Sequence, residues 1–187
     1  MPQLKTGNIK VCVFCGSKPG KNKKFIYIAN KLGEELSKKK YTVVYGGGTL
    51  GLMGALSKSV LKHKGKLISI IPVSLKNKNI LLPNPCKTIV TKNFVERKRL
   101  MIKKASIFVV LPGGFGTLDE LFEVISLNQL KVLNKKIILI DVDNFWNPIQ
   151  KLLKVIYKEG FLYNLEDSNI IFKKSVNKTI KFIEKNI

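Results

Sequence analysis

The chain has 187 residues, of which 45% are apolar and 25% are charged. This length and balance predict one globular domain over residues 1–187 that needs neither disulfides nor a structural metal to hold its core. The formal net charge is +22, but the lysines are spread along the chain in groups of three at most. We therefore expect a solvated lysine surface, with attraction of phosphorylated substrates as a weaker alternative and no specific nucleic-acid binding.

Short apolar runs alternate with longer amphipathic stretches along the chain. The predicted strands cover residues 9–15, 41–45, 67–71, 88–91, 107–111 and 137–141. The predicted helices cover residues 21–39, 50–62, 94–104, 117–131, 146–158 and 176–185, and residues 73–85 form a loop. This alternation predicts an α/β, Rossmann-like, doubly wound parallel sheet with helices on both faces, whose ligands bind at the carboxyl ends of the strands.

The cysteine count and the first residues predict a cytoplasmic protein with reduced thiols. There are three cysteines, and the first ten residues contain no apolar signal region. Cys12 and Cys15 match C-x-x-C, but they lie in a predicted strand, so their side chains face opposite sides and pack in the core. His63 is expected at the surface. We predict no metal and no cofactor, and no apolar stretch is long enough to span a membrane.

Two glycine-rich segments follow strands and open helices: residues 46–54 (GGGTLGLMG) and 112–120 (PGGFGTLDE). Glycine lets the backbone approach a ligand closely, and a helix start offers free N–H groups and a positive dipole end. Each segment is therefore a predicted phosphate site, although tight turns also favour glycine. Residues 46–51 match G-x-G-x-x-G but do not follow the first strand, so a dinucleotide fingerprint is not indicated.

Thr117 and Glu120 have the T-x-x-E spacing of a helix capping box. In that interpretation the Glu120 carboxylate stabilises the helix start. In the functional interpretation it lies beside a phosphate-binding turn. The spacing does not choose between the two.

The only two arginines of the chain, Arg97 and Arg99, lie close together in the helix predicted over residues 94–104. Lys98 falls within the apolar stripe of that helix, and Arg97 lies at its edge. One interpretation is a snorkelling Lys98 and a solvated Arg97. The other is that both cations face an anionic ligand at the edge of the sheet.

Four segments appear in order: CGS at 15–17, GGGTLGLMG at 46–54, ERK at 96–98 and PGGFGTLDE at 112–120. Together they resemble the LOG family of cytokinin riboside 5′-monophosphate phosphoribohydrolases, whose members are often mislabelled lysine decarboxylases. The resemblance covers about residues 9–161. It implies a Rossmann-like homodimer, with active sites near the subunit interface, that hydrolyses a nucleoside 5′-monophosphate to the free base and ribose 5-phosphate.

Carried over by position, the resemblance implies that Arg97 and Glu120 are the catalytic pair. It also implies substrate contacts at Lys98, Gly113, Gly114, Phe115, Gly116, Thr117 and Ser126, with weaker candidates at Ser17, Gly47, Gly48 and Thr49. Phe94-Val95 replaces the Met-His that often precedes E-R-K in the family, which affects base selectivity more than the reaction. The alternative function is a non-catalytic carrier of a phosphorylated ligand, similar to the molybdenum-cofactor carriers.

Overall fold

The computed structural model describes residues 9–76, 86–162 and 164–187. In these residues seven strands form one parallel sheet in the order β4-β3-β2-β1-β5-β6-β7. The strands are β1 (Lys10–Phe14), β2 (Thr42–Tyr45), β3 (Lys66–Pro72), β4 (Cys86–Thr91), β5 (Ile107–Val110), β6 (Ile137–Ile140) and β7 (Ile170–Lys173). The predicted α/β, Rossmann-like parallel sheet is confirmed.

Helices cover both faces of the sheet. They are α1 (Lys23–Lys38), α2 (Gly51–Lys62), α3 (Phe94–Lys104), α4 (Phe115–Gln129), α5 (Asn147–Lys158) and α6 (Val176–Asn186). The apolar sides of α1, α2 and α6 pack on one face, and those of α3, α4 and α5 pack on the other. Cys12 and Cys15 contribute to opposite faces, as predicted.

The order of the strands reverses between β1 and β5. The chain runs outward from β1 to β4 and then returns through α3 to β5, which pairs with the free side of β1. The loops that leave β1 and β5 are joined by a hydrogen bond of 3.1 Å from the Gly16 N–H to the Pro112 carbonyl oxygen. In folds of this kind the ligand crevice lies outside the carboxyl ends of the strands at such a switch point.

The structure corrects several predicted boundaries. Strand β7 was not predicted, because its four half-buried residues at the sheet edge give neither a long apolar run nor a clear alternation. Helix α4 begins at Phe115, two residues before the predicted start. Strand β3 includes Pro72, which pairs with Thr91 at the strand end. Of the predicted loop, Val73–Leu75 forms a 3₁₀ turn, and residues 77–85 lie outside the described part.

His63 lies exposed at the C-terminal end of α2, as predicted, and its Nδ1 is 2.8 Å from the Ser59 carbonyl oxygen. Within the ranges that the structure describes, no helix has both the length and the apolar content needed to cross a bilayer.

Candidate functional site

The start of α3 is held by two side-chain hydrogen bonds that fix the position of Arg97. The Asn93 side chain accepts a hydrogen bond of 2.8 Å from the Glu96 N–H, and the Glu96 carboxylate accepts one of 2.7 Å from the Lys92 N–H. The first bond satisfies a donor that a helix start leaves unpaired, and the second holds the residue before the N-cap against the first turn. Arg97 follows directly in the first turn, and its side chain is only 12% exposed.

The Arg97 guanidinium donates to three separate elements at the carboxyl edge of the sheet. Nε donates to the Ile70 carbonyl oxygen of β3 at 3.1 Å, and Nη2 donates to the Gly46 carbonyl oxygen after β2 at 3.3 Å. Nη1 donates to Glu120 Oε1 of α4 at 2.8 Å. A planar fork with five donors can satisfy these directions together, which an ammonium cannot. The interpretation of Arg97 as solvated is therefore wrong.

Gly46 explains how the guanidinium fits against the loop after β2. A Cβ atom at this position would lie 1.9 Å from Arg97 Nη2, so any larger residue would displace the guanidinium. The first glycine of the segment 46–54 is thus required for packing against Arg97.

Glu120 is a nearly buried carboxylate, with 8% of the residue exposed. Burial raises the pKa of Glu120 above its ordinary value, and the charge and hydrogen bond of Arg97 oppose that rise. Oε1 accepts from Arg97, whereas Oε2 accepts no hydrogen bond from any residue that the structure describes. The pair therefore places a carboxylate with one unengaged oxygen in a largely dehydrated position.

The capping-box interpretation of Glu120 is wrong. The N-cap of α4 is Gly114, and Thr117 is the third residue of the helix, so the Thr117 hydroxyl does not cap it. The sequence spacing matched the motif, but the glycines before Phe115 let the helix begin earlier. The Glu120 side chain points instead to Arg97.

The start of α4 is open to a ligand. The first N–H groups of a helix have no partner within it, and the first turn here contains no acidic residue. Apart from the adjacent backbone, no atom of the described residues lies within 4 Å of the place where a Cβ would stand on Gly114 or Gly116, and the Phe115 side chain is 91% exposed. These features fit an anion that approaches the backbone closely.

The start of α2, by contrast, is already occupied. The N–H groups of Leu52 and Met53 donate to the Gly16 carbonyl oxygen at 3.0 and 3.3 Å. Gly51 has a φ of +58°, and a Cβ there would lie 2.4 Å from the backbone of Ser17. The loop after β1 therefore fills the first predicted phosphate site.

Two further glycines of this first segment, Gly47 and Gly48, have packing roles. Gly47 has a φ of +85°, and a Cβ there would lie 2.0 Å from the Ile71 side chain. A Cβ on Gly48 would lie 2.6 Å from Met53 Cε. The tight-turn interpretation accounts for both residues, and Thr49 follows them half-buried.

Lys98 does not lie free at the edge of the sheet. Its Nζ is 2.9 Å from Asp119 Oδ1 and 2.5 Å from Glu123 Oε2, both on α4. These partners lie more than 20 residues away in sequence, so no local pattern could have predicted them. Lys98 links α3 to α4 beside the Arg97–Glu120 pair.

Ser126 and Ser17 are both exposed. Ser126 lies on the outward side of α4, away from Glu120, while Ser17 follows the turn that packs on α2. The structure thus brings together Arg97, Glu120 and the turn at 113–117, but it does not bring Ser126 to them within one chain.

The thiols offer no reactive group. All three cysteines are buried, and burial raises the pKa of Cys12 and Cys15. Among residues 9–76, 86–162 and 164–187, no three His, Cys, Asp or Glu side chains are placed to hold a metal ion together.

Comparisons with known proteins agree on the family and the fold. The family model described as "Possible lysine decarboxylase" matches residues 53–183. The cytokinin riboside 5′-monophosphate phosphoribohydrolase LOG5 of Arabidopsis thaliana is 38% identical over 153 residues, which are 82% of this chain and 67% of that protein. LOG7 of the same plant, which carries the same enzyme name, is 33% identical over 185 residues, or 98% of this chain and 85% of that protein.

Among solved structures, the molybdenum cofactor binding protein of Rippkaea orientalis superposes with a TM-score of 0.71 at 19% identity, covering 95% of this chain and 96% of that one. At this identity the likeness concerns the fold alone. The sequence relatives and the matched model show more: the chain belongs to the LOG family, whose family model carries the description of a possible lysine decarboxylase.

Proposed function

We propose that this protein hydrolyses the N-glycosidic bond of a nucleoside 5′-monophosphate and releases the free base and ribose 5-phosphate. The observation that carries the proposal is the buried Arg97–Glu120 pair, 2.8 Å apart, beside the open start of α4. The relatives in the same family are named as phosphoribohydrolases of cytokinin riboside 5′-monophosphates. That membership favours the hydrolase over the carrier, with which the chain shares a fold at 19% identity.

The spacing along α4 suits a sugar phosphate. Glu120 lies five positions after Phe115, which corresponds to about 7.5 Å along a helix axis. A 5′-phosphate on the N–H groups of the first turn would therefore lie one and a half turns from the Glu120 carboxylate. The ribose would bridge this gap, with its C1′ at the carboxylate.

The chemistry follows from the charge on the sugar. As the bond from C1′ to the base nitrogen breaks, positive charge develops on the ribose, and a nearby carboxylate stabilises it. Water supplies the hydroxyl group that ends on C1′ and the proton that ends on the base. Arg97 keeps Glu120 ionised and orients it, so that Oε2 faces the sugar.

The first test combines turnover with a matched pair of variants. We expect release of free base from AMP or from isopentenyladenosine monophosphate, measured by chromatography. Glu120→Gln removes the charge that stabilises the sugar and is expected to lower kcat by at least about 100-fold, since electrostatic stabilisation of this kind contributes several kcal/mol. Glu123→Gln, three residues along the same helix, should retain kcat within about twofold.

Thermal unfolding of both variants separates catalysis from folding. Glu120→Gln leaves Arg97 with its two carbonyl acceptors and should remain folded. A folded Glu120→Gln variant with full activity would refute the catalytic assignment. No release of base by the wild type from any nucleoside 5′-monophosphate would refute the function.

Arg97 and Arg99 provide a second matched pair on α3. Arg97→Lys keeps the charge but cannot reach three acceptors in one plane, so Glu120 loses its orientation and kcat/KM should fall at least about tenfold. Arg99→Lys alters an exposed side chain and should leave kcat/KM unchanged. Steady-state kinetics on AMP would decide, and equal effects of the two changes would contradict the role of Arg97.

The pH dependence follows from the burial of Glu120. Its pKa lies above the ordinary 4.5, and the ionised form is the active one. Activity should therefore be complete above the raised pKa and fall as the pH drops through it, which places the acid limb of kcat/KM above pH 4.5. A limb at or below the ordinary value would show that the ionisation of Glu120 does not limit the reaction.

We also propose that the protein is a homodimer that pairs through the outward side of α4. Phe115 is 91% exposed and Leu130 is 68% exposed, while Leu118 and Phe122 between them are half-buried. These positions share one side of the helix at 3.6 residues per turn. Ser126 lies on the same side, so pairing there would bring this exposed substrate candidate to the subunit interface.

Leu130→Glu places a charge in the proposed interface and is expected to shift the protein from dimer to monomer in analytical ultracentrifugation. Tyr27→Glu is the control, because Tyr27 is 64% exposed on α1, which covers the other face of the sheet. A monomeric wild type, or a Leu130→Glu variant that remains dimeric, would contradict this interface.

A further inference from the structure

We propose that Lys18 is a further substrate-binding residue, which supplies the cation for the phosphate held at the start of α4. The inference rests on the proposed function, because it uses the same phosphate position. It follows from where the loop after β1 lies and from which cations near the site already have partners.

The loop after β1 lies against the turn before α4. The Gly16 N–H donates to the Pro112 carbonyl oxygen at 3.1 Å. A Cβ on Gly16 would be 3.2 Å from the Lys18 carbonyl oxygen and 3.3 Å from Gly113 Cα. Lys18 and Gly113 are therefore neighbours across the switch point, and a flexible four-carbon stem lets the Lys18 ammonium reach the first turn of α4.

Three other cations around this site are already paired. Arg97 is bound to Glu120 and two carbonyl oxygens, and Lys98 is held between Asp119 and Glu123. Lys24, in the first turn of α1, pairs with Asp143 at 3.0 Å.

Lys18 differs from these cations. It is exposed, and it forms no ion pair with any of the residues that the structure describes. Two negative charges on a 5′-phosphate need more than backbone amides, and a point-like ammonium is a common partner for phosphate.

The Thr117 hydroxyl independently indicates a ligand at this turn. Thr117 is only 4% exposed, yet its hydroxyl makes no hydrogen bond within the described ranges. A Cβ on Gly113 would lie 2.1 Å from Thr117 Oγ1, so this oxygen lies under the turn at 113–114. The fully enclosed side-chain atoms without a partner in the described residues are Tyr45 Oη and Trp146 Nε1, so the Thr117 oxygen keeps some access from outside and is free to bond to a ligand. This oxygen lies in the first turn of α4, next to Gly113 of the turn where the phosphate is proposed to bind.

The test compares Lys18 with Lys21, another exposed lysine of the same loop. Lys18→Ala should raise KM for AMP about tenfold with little change in kcat, because a contact to the phosphate acts equally in the ground and transition states. The inhibition constant of ribose 5-phosphate should rise by the same factor. Lys21→Ala should change neither value more than about twofold, and Lys18→Arg should recover most of the affinity.

The possible results distinguish a failure of the Lys18 assignment from a failure of the proposed reaction. Unchanged constants in Lys18→Ala, or an equal rise in Lys21→Ala, would overturn the proposal, since the second result reflects only the overall positive charge. If the wild type does not turn over AMP, the affinity of the wild type and of the variants for ribose 5-phosphate can still be measured by calorimetry. Binding that weakens tenfold in Lys18→Ala alone would support Lys18 while the proposed reaction fails, and no binding by the wild type would overturn both.

Discussion

The buried ion pair of Arg97 and Glu120 is the interaction on which the site depends. Burying two charges is costly unless their mutual attraction and further hydrogen bonds compensate. Here the guanidinium also engages carbonyl oxygens of Ile70 and Gly46, so α3, α4 and two strand ends converge on one side chain. The absence of a side chain at Gly46 is part of the same arrangement. The hydrogen bonds of Arg97 therefore do two things: they orient the Glu120 carboxylate, and they connect the elements on the two sides of the sheet edge.

Much of the fold could be predicted because the hydrophobic pattern is local. Six strands and the six α-helices of the described residues were located, and α3 was placed from Phe94 to Lys104, as observed. Strand β7 was not predicted, because a half-buried edge strand of four residues leaves little periodicity. Its existence depends on pairing with β6, which only the assembled sheet provides.

In the candidate site, too, local sequence patterns predicted some features, whereas others depend on contacts between residues far apart in sequence. The family motifs identified Arg97 and Glu120, but their contact links residues 23 positions apart. The spacing of Thr117 and Glu120 suggested a local cap, and the distant partner Arg97 proved to be the one that Glu120 engages. For Lys98 the sequence left open a snorkelling side chain or one that faces an anionic ligand, and in the structure its ammonium pairs with two carboxylates of α4. In each of these cases an ion pair between residues distant in sequence determines where the side chain lies. Local sequence patterns do not predict such pairs.

The Gly16 carbonyl oxygen that receives the Leu52 and Met53 amides has a consequence for ligand size. In dinucleotide-binding folds the amides of such a glycine-rich turn grip a pyrophosphate. Here a carbonyl oxygen of the protein's own backbone accepts from these amides instead, and it therefore occupies the position that the pyrophosphate takes in those folds. Of the two glycine-rich helix starts, the one at α2 is thus satisfied by the protein itself, and under the proposed function the start of α4 is the one place left for a phosphate. A longer polyphosphate chain would then have no second anchor.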